Sequence, residues 1–229
     1  MKILAIDTTE QACSAALLID DDVSEAYQLA ARQHSQLILP MVEGLLGEAG
    51  LALAELDGLA FARGPGSFTG VRIAAAVTQG LAVAADLPVV PVSSLLALAQ
   101  GVLLESGESR VLAVFDARMG ELYWAPCEGQ DGRMQFAAPE RVSGVADVAL
   151  PTGFSGWVLA GSGASAYGDQ LEASLGNAAA RYPVASVHAR DVATLALSEF
   201  EQGAGVPAEQ ALPVYLRDQV AHKMRKPPS

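Results

Sequence analysis

Basic residues are scarce in this chain. Lys and Arg number 14 against 26 Asp and Glu over 229 residues, a formal net charge of −12. Affinity for phosphate backbones comes mostly from Lys and Arg, so the chain is a poor stand-alone nucleic-acid binder. An RNA role would need a basic partner or a local patch. Cysteine is nearly missing too. Cys13 and Cys127 lie far apart in strand-like runs, which excludes a disulfide framework or a cysteine metal cluster and fits reduced, cytosolic thiols. The three histidines, His34, His188 and His222, make no pair at helical ligand spacing. No run of 18 apolar residues occurs, because Gln79, Asp86, Pro88 and Pro91 interrupt the very apolar stretch 71–104, so no membrane span is expected. Lys2 is followed by four apolar residues before Asp7 intervenes, so no signal peptide is expected and a cytoplasmic location is. Charged residues make up only 17% and hydrophobic ones 51%, enough for a substantial core. The length suits one large domain or two lobes sharing an interface.

The most informative segment present is Gly64-Pro65-Gly66-Ser67-Phe68-Thr69-Gly70-Val71-Arg72. It follows a strand-like run, Leu59 to Phe61, and precedes a helix-length apolar stretch, Ile73 to Ala85. A glycine-rich turn feeding a helix N-terminus offers unpaired N–H groups and a favourable dipole to an anion. Yet no Lys follows Gly70, so this is not a Walker A loop, and Thr69 stands where the last glycine of G-x-G-x-x-G would be. The competing reading is structural: Gly64, Gly66 and Gly70 serve a tight turn and close packing.

Residues 2–30 read as three strands. Lys2 to Asp7 and Cys13 to Ile19 flank a polar turn, and Glu25 to Ala30 follows Asp20-Asp21-Asp22. Ser35 to Ala49 reads as a helix with an apolar stripe of Leu37, Ile38, Met41, Val42, Leu45 and Leu46, and Pro40 in its second turn is expected to delay its start or bend it. The opening recurs: Val111 to Asp116, a polar turn, then Leu122-Tyr123-Trp124. The two halves would then be related lobes, divided near Gly101 to Ser109. Asp7, ending a strand before Thr8 and Thr9, has the chemistry to hold a metal-bound water near a phosphate, or simply to cap a turn. Asp116 is its counterpart. Gly161-Ser162-Gly163, after an apolar run and before a helix from Ala164 to Leu175, would let a nucleotide approach closely or make another tight turn. Arg217, Lys223, Arg225 and Lys226 form a basic end.

Taken in order, Ile3 to Ser14, His34 to Val42, Gly64 to Arg72, Pro91 to Leu95, Asp116-Ala117-Arg118 and Pro213 to Asp218 resemble the bacterial TsaB (YeaZ) family across nearly the whole chain. The resemblance implies an α/β, two-lobed fold of the actin, sugar-kinase and Hsp70 type, each lobe a mixed sheet with flanking helices. The lobes would be residues 1–104 and 105–216, followed by a basic tail, 217–229. It implies a non-catalytic subunit, required for forming the threonylcarbamoyl group on adenosine of tRNAs reading codons that begin with A. Its partners would be the catalytic paralogue TsaD and the ATPase TsaE, with TsaC making the threonylcarbamoyl-adenylate donor. The chain alone would form a homodimer, and tRNA would be met only through the complex. The catalytic relative holds its metal through a His-x-x-x-His helix, and the matching positions here are Ser94 and Leu98. No metal site and no required cofactor are therefore expected. Weak ATP or ADP binding at Asp7, Thr8, Thr9, Asp116, Gly161, Ser162 and Gly163 is a subsidiary expectation. The alternative is an autonomous ATP-binding phosphotransferase or hydrolase of the same fold. Partner contacts are expected from Leu37, Met41, Leu45, Ile73, Ala76 and Gly80 on the first lobe's helices.

Overall fold

The computed structural model describes residues 1–30 and 32–217. Two mixed sheets share one topology. In the first lobe, β1 (Lys2–Asp7) pairs antiparallel with β2 (Ala12–Ile19), which pairs with edge strand β3 (Asp22–Leu29). On its other side β1 runs parallel to β4 (Gly58–Ala62), and β4 to β5 (Val89–Val92). The second sheet repeats this order with β6 (Arg110–Arg118), β7 (Glu121–Gln130), β8 (Arg133–Phe136), β10 (Val158–Ala160) and β11 (Arg181–Tyr182). The short β9 (Arg141–Gly144) pairs with β7 off that path. The repeat glimpsed in the sequence is thus a topological one: each lobe opens with a hairpin whose first strand becomes the sheet's centre.

Strand alternation divides the core into layers. In β1, Leu4 and Ile6 face one core while Ile3 and Ala5 face another. On the outer face lie α1 (His34–Ala49) and α2 (Phe68–Ala85). Pro40 is accommodated inside α1 and does not delay its start. In β6, Leu112 and Val114 face outward to α4 (Ser162–Leu175), while Val111, Ala113 and Phe115 face inward.

Between the sheets lie α3 (Ser94–Ser106) and α5 (Ala189–Glu201). The two helices are exchanged. The helix that follows the first sheet, α3, packs on β6, β7 and β8 of the second. The helix that follows the second sheet, α5, packs on β1, β2, β4 and β5 of the first. Their side chains merge with both inner sheet faces into one cluster, with Leu95, Ala97, Leu98 and Val192 almost fully buried.

The two sheets divide along the chain between Val92 and Arg110, on either side of the expected division after residue 104, but the helices do not respect it. Residue 104 falls inside α3, and α5 returns from the second segment to cover the first sheet. The basic tail is also redrawn: Arg217 is tied to the second lobe through the Ala117 carbonyl, and Lys223, Arg225 and Lys226 lie outside the described residues. Among the described residues one helix, α2, is long and apolar enough to cross a membrane, but Val71, Ala74, Ala75, Thr78 and Ala82 along it are buried against the protein.

A fragment ending at residue 104 lacks α5 and leaves the inner face of its sheet bare. It is expected to show no cooperative thermal transition by circular dichroism, while the whole chain melts in one step. In the whole chain, Leu98→Ala is expected to cost about 3 kcal/mol in denaturant unfolding, as for other fully buried leucines.

Candidate functional site

The turn between β1 and β2 packs against the glycine-rich segment, and this contact builds one wall of the site. Asp7 Oδ1 accepts from the Thr9 backbone N–H at 3.0 Å and from its hydroxyl at 2.6 Å, an Asx-type turn. The Thr8 hydroxyl donates to the Gly70 carbonyl at 2.7 Å, and the Ser67 N–H donates to the Thr9 carbonyl at 2.7 Å. Ser67 also caps α2 by accepting from the Gly70 N–H at 3.1 Å. Helix α2 begins at Phe68, inside the motif, so Gly70 is a first-turn helical residue and not a turn glycine. It is required for proximity, since a β-carbon there would overlap the Thr8 carbonyl. Gly66 meets Thr9 in the same way, at 2.5 Å, and only Gly64, at φ 102°, needs the left-handed region.

Beside this wall a cleft of about 790 Å³ opens between the lobes. Glu10 lies on its floor, its carboxylate accepting from the Ser162 hydroxyl at 2.8 Å. Ser162 in turn accepts from the Asp116 N–H at 3.2 Å, so one hydroxyl ties the first hairpin turn to the second lobe. Burial holds the Glu10 carboxyl above the usual carboxylate range. Asp116 pairs with Arg118 at 3.1 Å. The cleft mouth is aromatic. The Arg72 guanidinium stacks 3.6 Å over the Phe68 ring and donates through Nε to the Tyr215 hydroxyl at 2.8 Å. The C-terminal segment crosses this mouth, with Val214 N–H bonded to the Arg63 carbonyl and Arg217 paired with Glu121 of the second lobe.

The expected nucleotide residues are not brought together. Asp7, Thr8 and Thr9 are fully buried beneath the glycine segment and do not line the cleft. Gly161 and Gly163 are spent on packing against Val114, which Gly161 approaches with φ 104°. Of the set, Asp116 and Ser162 alone reach the cleft. A phosphate entering there would face two carboxylates, Glu10 and Asp116, with Arg118 and Arg217 already paired. Ser94 and Leu98, the positions matched to the metal ligands, are fully buried, with Leu98 packed against Gly161. Among the described residues, no three His, Cys, Asp or Glu side chains gather as a ligand set.

The expected partner face is corrected in part. Leu45 is buried in the first lobe's outer core at 6% exposure, and Leu37, Met41 and Ile73 pack on that core as partly buried residues. Ala76 and Gly80 do face outward, on a stripe of α2 that runs from Phe68 through Arg72 to Ala84. Leu39, Pro40, Gly44 and Gly47 are among the exposed residues of α1. Sequence reasoning took Leu45 outward because the stripe it belongs to is wide enough to serve either side. Glu10 and Tyr215 were read only within motifs, and Phe68 and Arg72 only as part of the glycine-rich segment; none was named as a cleft residue. The i, i+4 spacing of Phe68 and Arg72 was a readable signal; the meeting with Tyr215 was not.

The family model described as TsaD, tRNA N6-adenosine threonylcarbamoyltransferase, matches residues 26–224. The Escherichia coli (strain K12) tRNA threonylcarbamoyladenosine biosynthesis protein TsaB is 42% identical over 226 residues, covering 97% of each chain. The protein of the same name from Haemophilus influenzae is 36% identical, covering 97% of this chain and 96% of its own. Among solved structures, YeaZ from Pseudomonas aeruginosa superposes with a TM-score of 0.90 at 45% identity, covering 94% of this chain and 99% of that one.

Burial without a partner for Oδ2 pushes the Asp7 carboxyl up to about 7. The folded state then binds a proton that the unfolded state has lost, so Asp7 makes stability fall as pH rises from about 4 to 7, by about 1.4 kcal/mol per unit. Asp7→Asn is expected to remove that share, read as a flatter denaturation midpoint over this range. Gly70→Ala is expected to lower the melting temperature by separating α2 from the Thr8–Thr9 turn.

Proposed function

The chain belongs to the TsaB (YeaZ) family, and from that membership we propose that it is a non-catalytic subunit in the biosynthesis of threonylcarbamoyladenosine in tRNA. In this reading it binds and activates the catalytic paralogue TsaD, the ATPase TsaE joins the pair, and tRNA is met only within the assembly. The observation that carries the non-catalytic half is the filling of the metal positions. Ser94 and Leu98 are core residues, and Leu98 is an aliphatic side chain with no donor atom. The partner half is supported by α2, whose outward stripe of Ala76, Gly80 and Ala84 presents little side chain and lets another helix come close. The same stripe is the proposed homodimer contact of the chain alone. A cytoplasmic location accords with tRNA as the ultimate substrate.

Weak ATP or ADP binding in the cleft is compatible with this role, at Asp116 and Ser162. An autonomous nucleotide hydrolase would have to turn over ATP against the two cleft carboxylates.

Light scattering on a size-exclusion column decides between these. Mixed with TsaD, the chain is expected to form a one-to-one heterodimer. Ala76→Arg or Gly80→Arg is expected to weaken that complex at least tenfold with the melting temperature unchanged, because nothing lies within 4 Å of a β-carbon at Gly80. Leu45→Asp, by contrast, is expected to unfold the first lobe. No heterodimer, together with ATP turnover by the isolated chain, would replace this reading with the enzymatic one.

A further inference from the structure

The seam between α3 and α5 holds a polar group that neither the fold nor the cleft accounts for. Asp191, in the first turn of α5, is fully buried. Among the described residues it is the side chain whose two carboxylate oxygens are both buried without a hydrogen-bond partner. It is held against α3 at Gly101, where a β-carbon would stand 2.5 Å from Asp191 Oδ2. Any larger residue there would push the Asp191 carboxyl aside.

The charged neighbours are committed elsewhere. Arg190 Nε is 4.0 Å from Asp191 Oδ1, but its guanidinium pairs with Glu105 of α3 and lies 3.8 Å from Glu25 of β3. His188, just before α5, bonds Glu25 Oε2 through Nδ1 at 2.9 Å and stacks on Tyr27 at 4.2 Å. Glu25 also accepts from the Arg190 N–H at 3.2 Å. Around Asp191 there are thus one guanidinium, one imidazole and two further carboxylates, and none donates to it.

We propose that this seam is a pH-sensitive joint between the lobes: a proton on the Asp191 carboxyl lets α5 close on Gly101 of α3, and loss of that proton loosens the two helices. An unpaired carboxylate in an apolar seam is costly, whereas the neutral acid is far less so. Burial accordingly pushes the Asp191 carboxyl up to about 7. When the seam opens, water reaches the carboxyl and it titrates in its ordinary range. Between about pH 4 and 7 the closed state therefore holds one proton more than the open state, and the opening equilibrium grows about tenfold per pH unit. Above that window both states are ionised and the dependence levels off. Because α3 belongs to one sheet and α5 to the other, opening changes the spacing of the cleft walls.

The test is amide hydrogen exchange between pH 5 and 7 on the whole chain, with the carboxyl carbon of Asp191 followed by NMR. Intrinsic exchange rises about tenfold per pH unit from base catalysis; among amides that exchange faster than global unfolding allows, the rise in α3 and α5 is expected to approach a hundredfold, while α1, on the far face of the first sheet, keeps the intrinsic slope. In Asp191→Asn the excess in α3 and α5 is expected to vanish, and Asp191 in the unaltered chain is expected to titrate close to neutrality. A carboxyl midpoint near 4, or the same exchange slope in α1, α3 and α5 of the unaltered chain, overturns the proposal, and both are read without the variant.

Discussion

The structure depends on the exchanged pair of helices between its sheets. A sheet needs both faces covered once its strands are apolar on both, as β1, β4 and β6 are. Each sheet here obtains its inner cover from the helix that follows the other sheet. Neither lobe completes a core without its neighbour, so the lobes are distinct in topology and joined in energetics. The close approach of α5 to α3 is set by Gly101, and further out the seam is fastened by Arg63 with Glu140 at 2.7 Å and by Ser93 with the same carboxylate at 2.6 Å. These links join the first lobe's strand ends to the second lobe's β8–β9 connection.

That joint shapes what the cleft offers. In a two-lobed fold the facing hairpin turns are where a ligand would be gripped. Here the first turn is sealed by Gly66 and Gly70, and its Asp7 turns inward to bond Thr9. The position is filled by Glu10, bonded across the cleft to Ser162. The Glu10–Ser162 bond makes this corner of the cleft a cross-lobe fastening. The outward stripe of α2 leads from small residues into the Phe68–Arg72–Tyr215 stack at the cleft mouth.

Much of this was legible in the residues. Short apolar runs marked β1, β2 and β6, the polar turns after Asp7 and Asp116 marked the hairpins, and the ordered motifs marked the family. The helix signals of α1 and α2 were equally plain, although their inward and outward faces were not. A stripe running from Leu37 through Leu45 to Leu46 is apolar over about half the circumference, so spacing alone cannot say which edge meets the sheet. Leu45 went inward and Gly44 outward because β2 lies on that side. The segment 189–201 carries Val192, Leu195 and Ala196 at helical spacing, yet nothing local says that it covers a sheet begun nearly two hundred residues earlier.

The sequence by itself determined the local elements, the order of strands within each hairpin, the lack of a histidine pair at the metal positions and the family. These follow from side-chain period, turn chemistry and residue identity, which are properties of neighbours along the chain. Only the tertiary structure decided that the helices are exchanged, that Asp7 is shut away while Glu10 reaches the cleft, and that Asp191 is buried against Gly101 without a partner. Those outcomes rest on contacts between residues far apart in the chain, where burial, and not sequence spacing, sets the energy of a charge.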